Sequence, residues 1–220
     1  MRYFIHLAYN GTRFSGWQIQ PNATTLQGVV TQVLQQLLQE ETSVVGAGRT
    51  DSGVHSANYF AHFETDKEIA TTDLCYKLNR MLPPDIVIFD INPVDNTMHA
   101  RFSATSRTYT YTITQEKNPF ALETEYYFPL NLNIENMNNA CKLLIGTQDF
   151  TSFSKLHTDV NNNICTIKYP SIILFKILFA HRKPLCEFMG INDKNMIAVI
   201  VFFEILIQCF VTRVIEIMCG

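Results

Sequence analysis

The first forty residues change hydrophobic period once, and that change restricts the fold more than any other feature of the chain. Tyr3, Ile5, Leu7 and Tyr9 alternate with Phe4, His6 and Ala8, a period of two that sends each set to one face of a strand. Asn10-Gly11, a pair suited to a turn, ends it. From Thr25 to Glu41 the apolar positions Leu26, Val29, Val30, Val33, Leu34, Leu37 and Leu38 recur three and four apart, with glutamines on the other face. That spacing predicts an amphipathic helix. A strand and a helix that are each apolar on one side bury those sides by packing together, so helices layered on a sheet are expected.

The same alternation continues. Val44–Ala47 and Ser56–Phe63 read as strands on either side of Gly48-Arg49-Thr50-Asp51-Ser52-Gly53, a run of turn formers. Thr72–Leu82 reads as a helix ended by Pro83-Pro84, Ile86–Ile91 as a strand, and Arg107–Thr114 as a strand alternating through Tyr109, Tyr111 and Ile113. Ile134–Ile145 reads as a further amphipathic helix stopped at Gly146. These elements fit an α+β or an α/β layer. Beyond Pro170 the texture differs: Ser171–Ala180 and Met196–Val211 are dense in Ile, Leu, Val and Phe. Glu204 and Gln208 interrupt the second run, which is shorter than the roughly 20 residues of a membrane helix, so buried strands or helices are expected there.

Hydrophobic content of 47% against 17% charged residues in 220 excludes a disordered chain. A net charge of −3 excludes a protein that is basic all over, so a nucleic-acid partner would be held by a local patch. Arg2, Arg13, Arg49, Arg80, Arg101 and Arg107 in the first half are the candidates. The six cysteines lack C-x-x-C spacing and are expected to be reduced and mostly buried. The N-terminus has no apolar signal core, which leaves the cytoplasm as the expected location.

A carboxylate on a glycine-flanked loop beside an arginine suits chemistry, since Arg49 can aim Asp51 while small neighbours admit a substrate. Taken alone, the commoner reading of an Arg-x-Asp loop is a turn cap beside a solvated guanidinium. The surroundings reverse that preference. Tyr9 to Gln20, YNGTRFSGWQIQ, resembles the opening Y-D-G-x-x-F-x-G-W-Q-x-Q of the TruA-type tRNA pseudouridine synthases, with Asn10 in the place of Asp. Ala47 to His55, AGRTDSGVH, is similar to their A-G-R-T-D-x-G-V-H loop. His99 to Tyr109, HARFSATSRTY, is similar to H-A-R-F-S-A-x-x-R-x-Y, and Asp149 to Phe153 matches D-F-T-S-F. The motifs stand in family order and the resemblance covers residues 1 to about 169.

This resemblance implies an α+β fold of two ferredoxin-like halves with antiparallel sheets and helices packed on one face: an N-terminal domain over 1–105 with the catalytic loop, and a C-terminal domain over 106–220 that diverges after about 169. It implies isomerisation of uridine to pseudouridine at positions 38 to 40 of the tRNA anticodon stem-loop by a homodimer, with no metal, cofactor or membrane. Asp51 would be catalytic, attacking the uridine or removing a sugar proton. Arg49 would help fill the space left by the base, and Tyr109, on a strand neighbouring the loop, would stack on the extruded uracil. Strand packing is the other reading of Tyr109. Arg13, Arg101 and Arg107 are candidate phosphate contacts or surface charges. Trp17 and Phe14 are expected in the core, and His55 and His99 in structural hydrogen bonds.

The resemblance breaks near Tyr169. Phe210 to Gly220 keeps the first and last residues of the family's R-F-L-R-N-M-V-R-x-I-V-G segment but has Glu216 where the MVR arginine stands, a charge that would repel Asp51. The chain ends at Gly220, before the family's C-terminal helix. A frame change near codon 170 would account for this, and the alternative function is a truncated or frame-shifted pseudoenzyme that binds RNA without catalysis. An unrelated RNA-binding module with Tyr109 and Tyr111 on a sheet face is a third reading, which leaves Gly48–His55 unexplained.

Overall fold

Strand β1 (Arg2–Tyr9) forms where the period of two is found: Tyr3, Ile5, Leu7 and Tyr9 are buried and the residues between them are half-buried. It belongs to a computed structural model that describes residues 1–153, 163–167 and 217–218. The chain divides into two compact units, Met1–Ala104 and Thr105–Gly220.

In the first unit, β1 is followed by α1 (Leu26–Leu38), β2 (Val45–Gly46), β3 (Ser56–Glu64), α2 (Thr71–Met81) and β4 (Ile86–Val94). The sheet order is β2-β3-β1-β4 and every pairing is antiparallel. This β-α-β-β-α-β order is the ferredoxin-like arrangement. Its core takes the inward residues of β1, Tyr59, Ala61 and Phe63 of β3, and Ile86, Ile88 and Ile91 of β4, together with Leu26, Val30, Leu34 and Leu38 of α1 and Leu74 and Leu78 of α2. Pro93 in β4 is accommodated because that strand lies at the sheet edge.

Helix α1 starts where the Thr25 hydroxyl accepts the Gly28 N–H at 3.3 Å. It ends three residues before Glu41, because Gln39 adopts a left-handed conformation with φ of 51°. Helix α2 stops at Met81, before the two prolines. The Asn79 amide ties it to β4, donating to the Ile88 carbonyl at 2.7 Å and accepting the Ile88 N–H at 2.8 Å.

The second unit contains β5 (Thr112–Thr114), β6 (Glu125–Tyr127), α3 (Ile134–Lys142), β7 (Gly146–Asp149), a single 3-10 turn at Thr151–Phe153, β8 (Ile164–Ile167) and β9 (Ile217–Met218). Strands β7, β8 and β9 pair antiparallel in that order, whereas the short β5 and β6 pair in parallel, within an α+β architecture of the expected class. The strand predicted over Arg107–Thr114 is also shorter: its ladder spans Thr112–Thr114 alone, and Tyr109 lies in the irregular stretch before it. Alternation records two-sided residues but not whether a neighbouring backbone is in register to pair with them. Among the described residues of this unit, Met137 and Cys141 of α3 form one small apolar cluster and Phe150 and Ile167 another.

Among the described residues Cys75, Cys141 and Cys165 are free thiols, Cys141 buried and the other two half-buried; Cys186, Cys209 and Cys219 lie outside them. Burial raises the pKa of the Cys75 and Cys141 thiols. Among the described residues no helix is long and apolar enough to cross a membrane. Ser171–Ala180, Met196–Val211 and Glu216 lie outside the described residues.

Leu34 is completely inaccessible to solvent between α1 and the sheet. Leu34→Ala is expected to lower the unfolding free energy by about 3 kcal/mol in urea titration, the usual cost of a cavity in a close-packed core.

Candidate active site

Between β2 and β3 the chain leaves the sheet and returns through the run Ala47–His55. The segment after β1 holds this excursion. Trp17 donates its backbone N–H to the Thr50 carbonyl at 3.0 Å, Gly53 N–H donates to the Phe14 carbonyl at 3.2 Å, and the Ser52 hydroxyl donates to the same carbonyl at 3.2 Å. Gly11 N–H donates to His55 Nδ1 at 3.3 Å, and the Tyr9 and Thr50 hydroxyls lie 3.3 Å apart. Inside the loop, Val54 N–H donates to the Asp51 carbonyl at 3.3 Å. The two chain segments touch so closely that a Cβ on Gly16 would stand 2.2 Å from the Thr50 oxygen, and one on Gly11 would stand 1.9 Å from the Val54 oxygen. Gly16 also has φ of +82°, a left-handed conformation that other residues rarely adopt.

The same segment starts α1. Leu26 N–H donates to the Gly16 carbonyl at 3.1 Å and Gln27 N–H to the Trp17 carbonyl at 3.0 Å, satisfying two amides that a helix start leaves open. The Trp17 ring is 1% exposed and packs on Tyr59 at 4.3 Å and Tyr9 at 6.0 Å; Phe14 is buried too, as the sequence led us to expect of both. Asp51 and Arg49 are exposed on this pinned loop. The chemical potential of the arrangement is that of a carboxylate and a guanidinium presented to solvent from a backbone held at several points.

Asn10, the departure from the family's Asp, accepts the Thr12 N–H through Oδ1 at 2.9 Å, a turn contact that a carboxylate makes equally well. Arg13 forms a fork on Asp85, with Nε 3.2 Å from Oδ1, so its guanidinium is engaged within the unit although it stays largely exposed. Arg101 lies over the Phe102 ring at 5.7 Å. Arg107 and Tyr109 are half-buried in the second unit, and Tyr109 is not on the strand expected for it. Asp149 accepts both the Thr151 N–H at 2.9 Å and its hydroxyl at 2.5 Å, which holds the Asp149 carboxyl below its usual range and gives D-F-T-S-F a local reason: its Asp caps the 3-10 turn. Among the described residues no group of three or more His, Cys, Asp or Glu side chains is arranged to hold a metal ion.

Sequence reading overlooked Tyr59, Asp85 and His62. Tyr59 and His62 sit in a strand that alternation already explained, so nothing local marks their polar atoms as engaged. His62, buried in β3, accepts the Ala100 N–H through Nδ1 at 3.2 Å and packs edge-on against His99 at 4.6 Å. His99 Nδ1 accepts from Arg101 N–H at 3.1 Å and Phe102 N–H at 3.4 Å. Both imidazoles therefore act as acceptors in their neutral form and hold the turn that carries Arg101. Burial, then the charges of His99 and Arg2, lowers the His62 pKa to about 4 despite the opposing pull of Glu64; burial, then Arg2 and Arg101, lowers that of His99.

The Arg-Thr-Asp loop therefore stands between the second and third strands of a βαββαβ sheet in an α+β unit. The family model described as tRNA pseudouridine synthase matches residues 6–103. A tRNA pseudouridine synthase A of Parabacteroides distasonis is 52% identical over 169 residues, covering 76% of this chain and 67% of that protein. The Bacteroides thetaiotaomicron protein of the same name is 48% identical over 168 residues, 76% and 62% of the two chains. One from Geobacillus is 39% identical over 201 residues, 89% and 78%. The chain belongs to the tRNA pseudouridine synthase A family, whose members are isomerases.

Two outcomes are expected. Gly16→Ala combines left-handed strain with a steric clash and should cost at least about 2 kcal/mol in urea unfolding, whereas Gly53→Ala, with φ of +77° and open space around it, should cost about 1 kcal/mol. Because His62 is more basic unfolded than folded, its contribution to stability is complete above pH 6.5 and is lost as the pH falls toward 4. Urea midpoints measured between pH 7 and 5 should fall in the parent chain and fall less in His62→Gln.

Proposed function

We propose that this chain converts uridine to pseudouridine in the tRNA anticodon stem-loop, at positions 38 to 40, with Asp51 as the catalytic residue. The single observation that carries this reading is the pinned loop: an exposed Asp51 stands on a backbone fixed through Phe14, Trp17 and Thr50. The reaction needs a carboxylate held rigidly beside an extruded nucleotide, and phosphate contacts that keep the RNA in place. The reaction breaks the bond from uracil N1 to the ribose C1′, turns the base, and forms a bond from C5 to C1′. The C5 hydrogen leaves as a proton and N1 gains one, so no atom is added overall.

In this reading Asp51 either attacks the base or removes a sugar proton, and Arg49 occupies the space that the extruded base vacates. Tyr109 stacks on the uracil, a contact worth about 1–3 kcal/mol for an unstacked base. Arg101 and Arg107 meet phosphates; Arg13, forked onto Asp85, does so with the part of its guanidinium that remains exposed. The tRNA is gripped by a homodimer in the cytoplasm.

The test is tritium release from an anticodon stem-loop transcript labelled at C5 of uridine, since bonding through C5 expels that hydrogen. The parent chain should release tritium, and Asp51→Ala should lower the rate by about 10³-fold or more. A folded parent chain that releases nothing while still binding the transcript would establish the non-catalytic alternative.

A further inference from the structure

We propose that Tyr59 is a positioning residue for the reacting loop, its hydroxyl holding both amide groups of Gly48 and thereby setting where Arg49 and Asp51 stand. The inference rests on the reading of Asp51 as the catalytic residue.

Strand β2 follows β3 only briefly. Val45 and Gly46 pair with His62 and Ala61, and Ala47 N–H donates to the Phe60 carbonyl at 2.8 Å. There the backbone ladder ends. At the next residue the Tyr59 hydroxyl takes the place of a neighbouring strand: it donates to the Gly48 carbonyl at 2.5 Å and accepts the Gly48 N–H at 3.3 Å. One hydroxyl supplies one donor and one acceptor, the two functions that a paired peptide group requires. Gly48 is thus held from β3, and Thr50 is held from the other side by the Trp17 N–H and the Tyr9 hydroxyl. Arg49 is the residue between these two anchors and Asp51 directly follows them.

The ring alone would need only apolar packing, which Phe could supply. Tyr59 is 7% exposed and lies against Trp17 at 4.3 Å and Tyr9 at 5.5 Å. The position of its oxygen is nevertheless specified from several directions, since a Cβ on Gly46 would stand 2.2 Å from it and 2.4 Å from Trp17 Nε1. A glycine at 46 leaves room for the hydroxyl to reach Gly48 past the strand. Loss of the oxygen would free two peptide groups beside the catalytic loop while keeping the aromatic packing, and a displacement of the order of 1 Å at a reacting group is enough to slow catalysis.

The experiment compares the full chain with Tyr59→Phe by amide hydrogen exchange and by steady-state tritium release. Exchange at Gly48–Asp51 should accelerate about tenfold while Leu26–Leu38 in α1 is unchanged. The kcat should fall about tenfold with KM within about twofold. Unchanged loop exchange overturns the proposal, and so does faster exchange spread equally through α1, which would make the hydroxyl a support of the core. A loosened loop with kcat intact, or a change confined to KM, overturns it as well. Should the parent chain release no tritium, the reading of Asp51 fails separately, and the loop exchange still decides whether Tyr59 positions Gly48.

Discussion

Trp17 makes the interactions on which the first unit and its site both depend. Its N–H holds Thr50 in the Ala47–His55 loop, its carbonyl receives Gln27 at the start of α1, and its ring covers Tyr9 and Tyr59 from the sheet. One residue therefore connects strand, helix and loop, and the close approach of Gly16 to Thr50 is what allows it. The backbone hydrogen bonds involved contribute about 1 kcal/mol each, a modest sum, but their geometry leaves Arg49 and Asp51 few positions to adopt. The Tyr9–Gln20 and Ala47–His55 motifs are accordingly two sides of one contact.

Several polar residues outside that contact hold the fold. Arg2 pairs with Glu64 and reaches the Met98 carbonyl at 2.6 Å, and Arg13 pairs with Asp85, whose own backbone carbonyl accepts Asn10 N–H at 2.8 Å. These are partly exposed pairs, worth more as geometry than as energy. His62 and His99 give the turn at Arg101 a hydrogen-bonded base that works only while both rings are neutral. With a net charge of −3, any basic surface on this chain is local.

Family membership rests on the part of the chain that carries the motifs. Similarity covers 76% of the chain for the Parabacteroides and Bacteroides relatives and 89% for the Geobacillus one. In the second unit, D-F-T-S-F has a structural explanation in the local Asp149 cap and in the burial of Phe150 against Ile167 of the neighbouring strand. Among the described residues of that unit the clusters are small and Phe120, Leu122 and Leu143 are exposed, whereas the first unit has a continuous core beneath a four-stranded sheet.

Periodicity by itself determined the elements of the first unit, because Tyr3-Ile5-Leu7-Tyr9 and Leu26-Val30-Leu34-Leu38 can each bury one side in only one kind of secondary structure. The glycines, the Arg-Thr-Asp run and the motif order were equally legible, and they pointed to Asp51 on a loop between strands. Pairing was not legible: the parallel match of β5 with β6, the short ladder that excludes Tyr109, and the engagement of Arg13 by Asp85 all join residues separated by at least ten positions. The Tyr59 hydroxyl on Gly48 and the His62 ring beneath Ala100 belong to the same group. A residue's own sequence neighbourhood sets which way its side chain faces, but which atom it meets is decided by strand register and chain crossing, and those exist only once the sheet has formed.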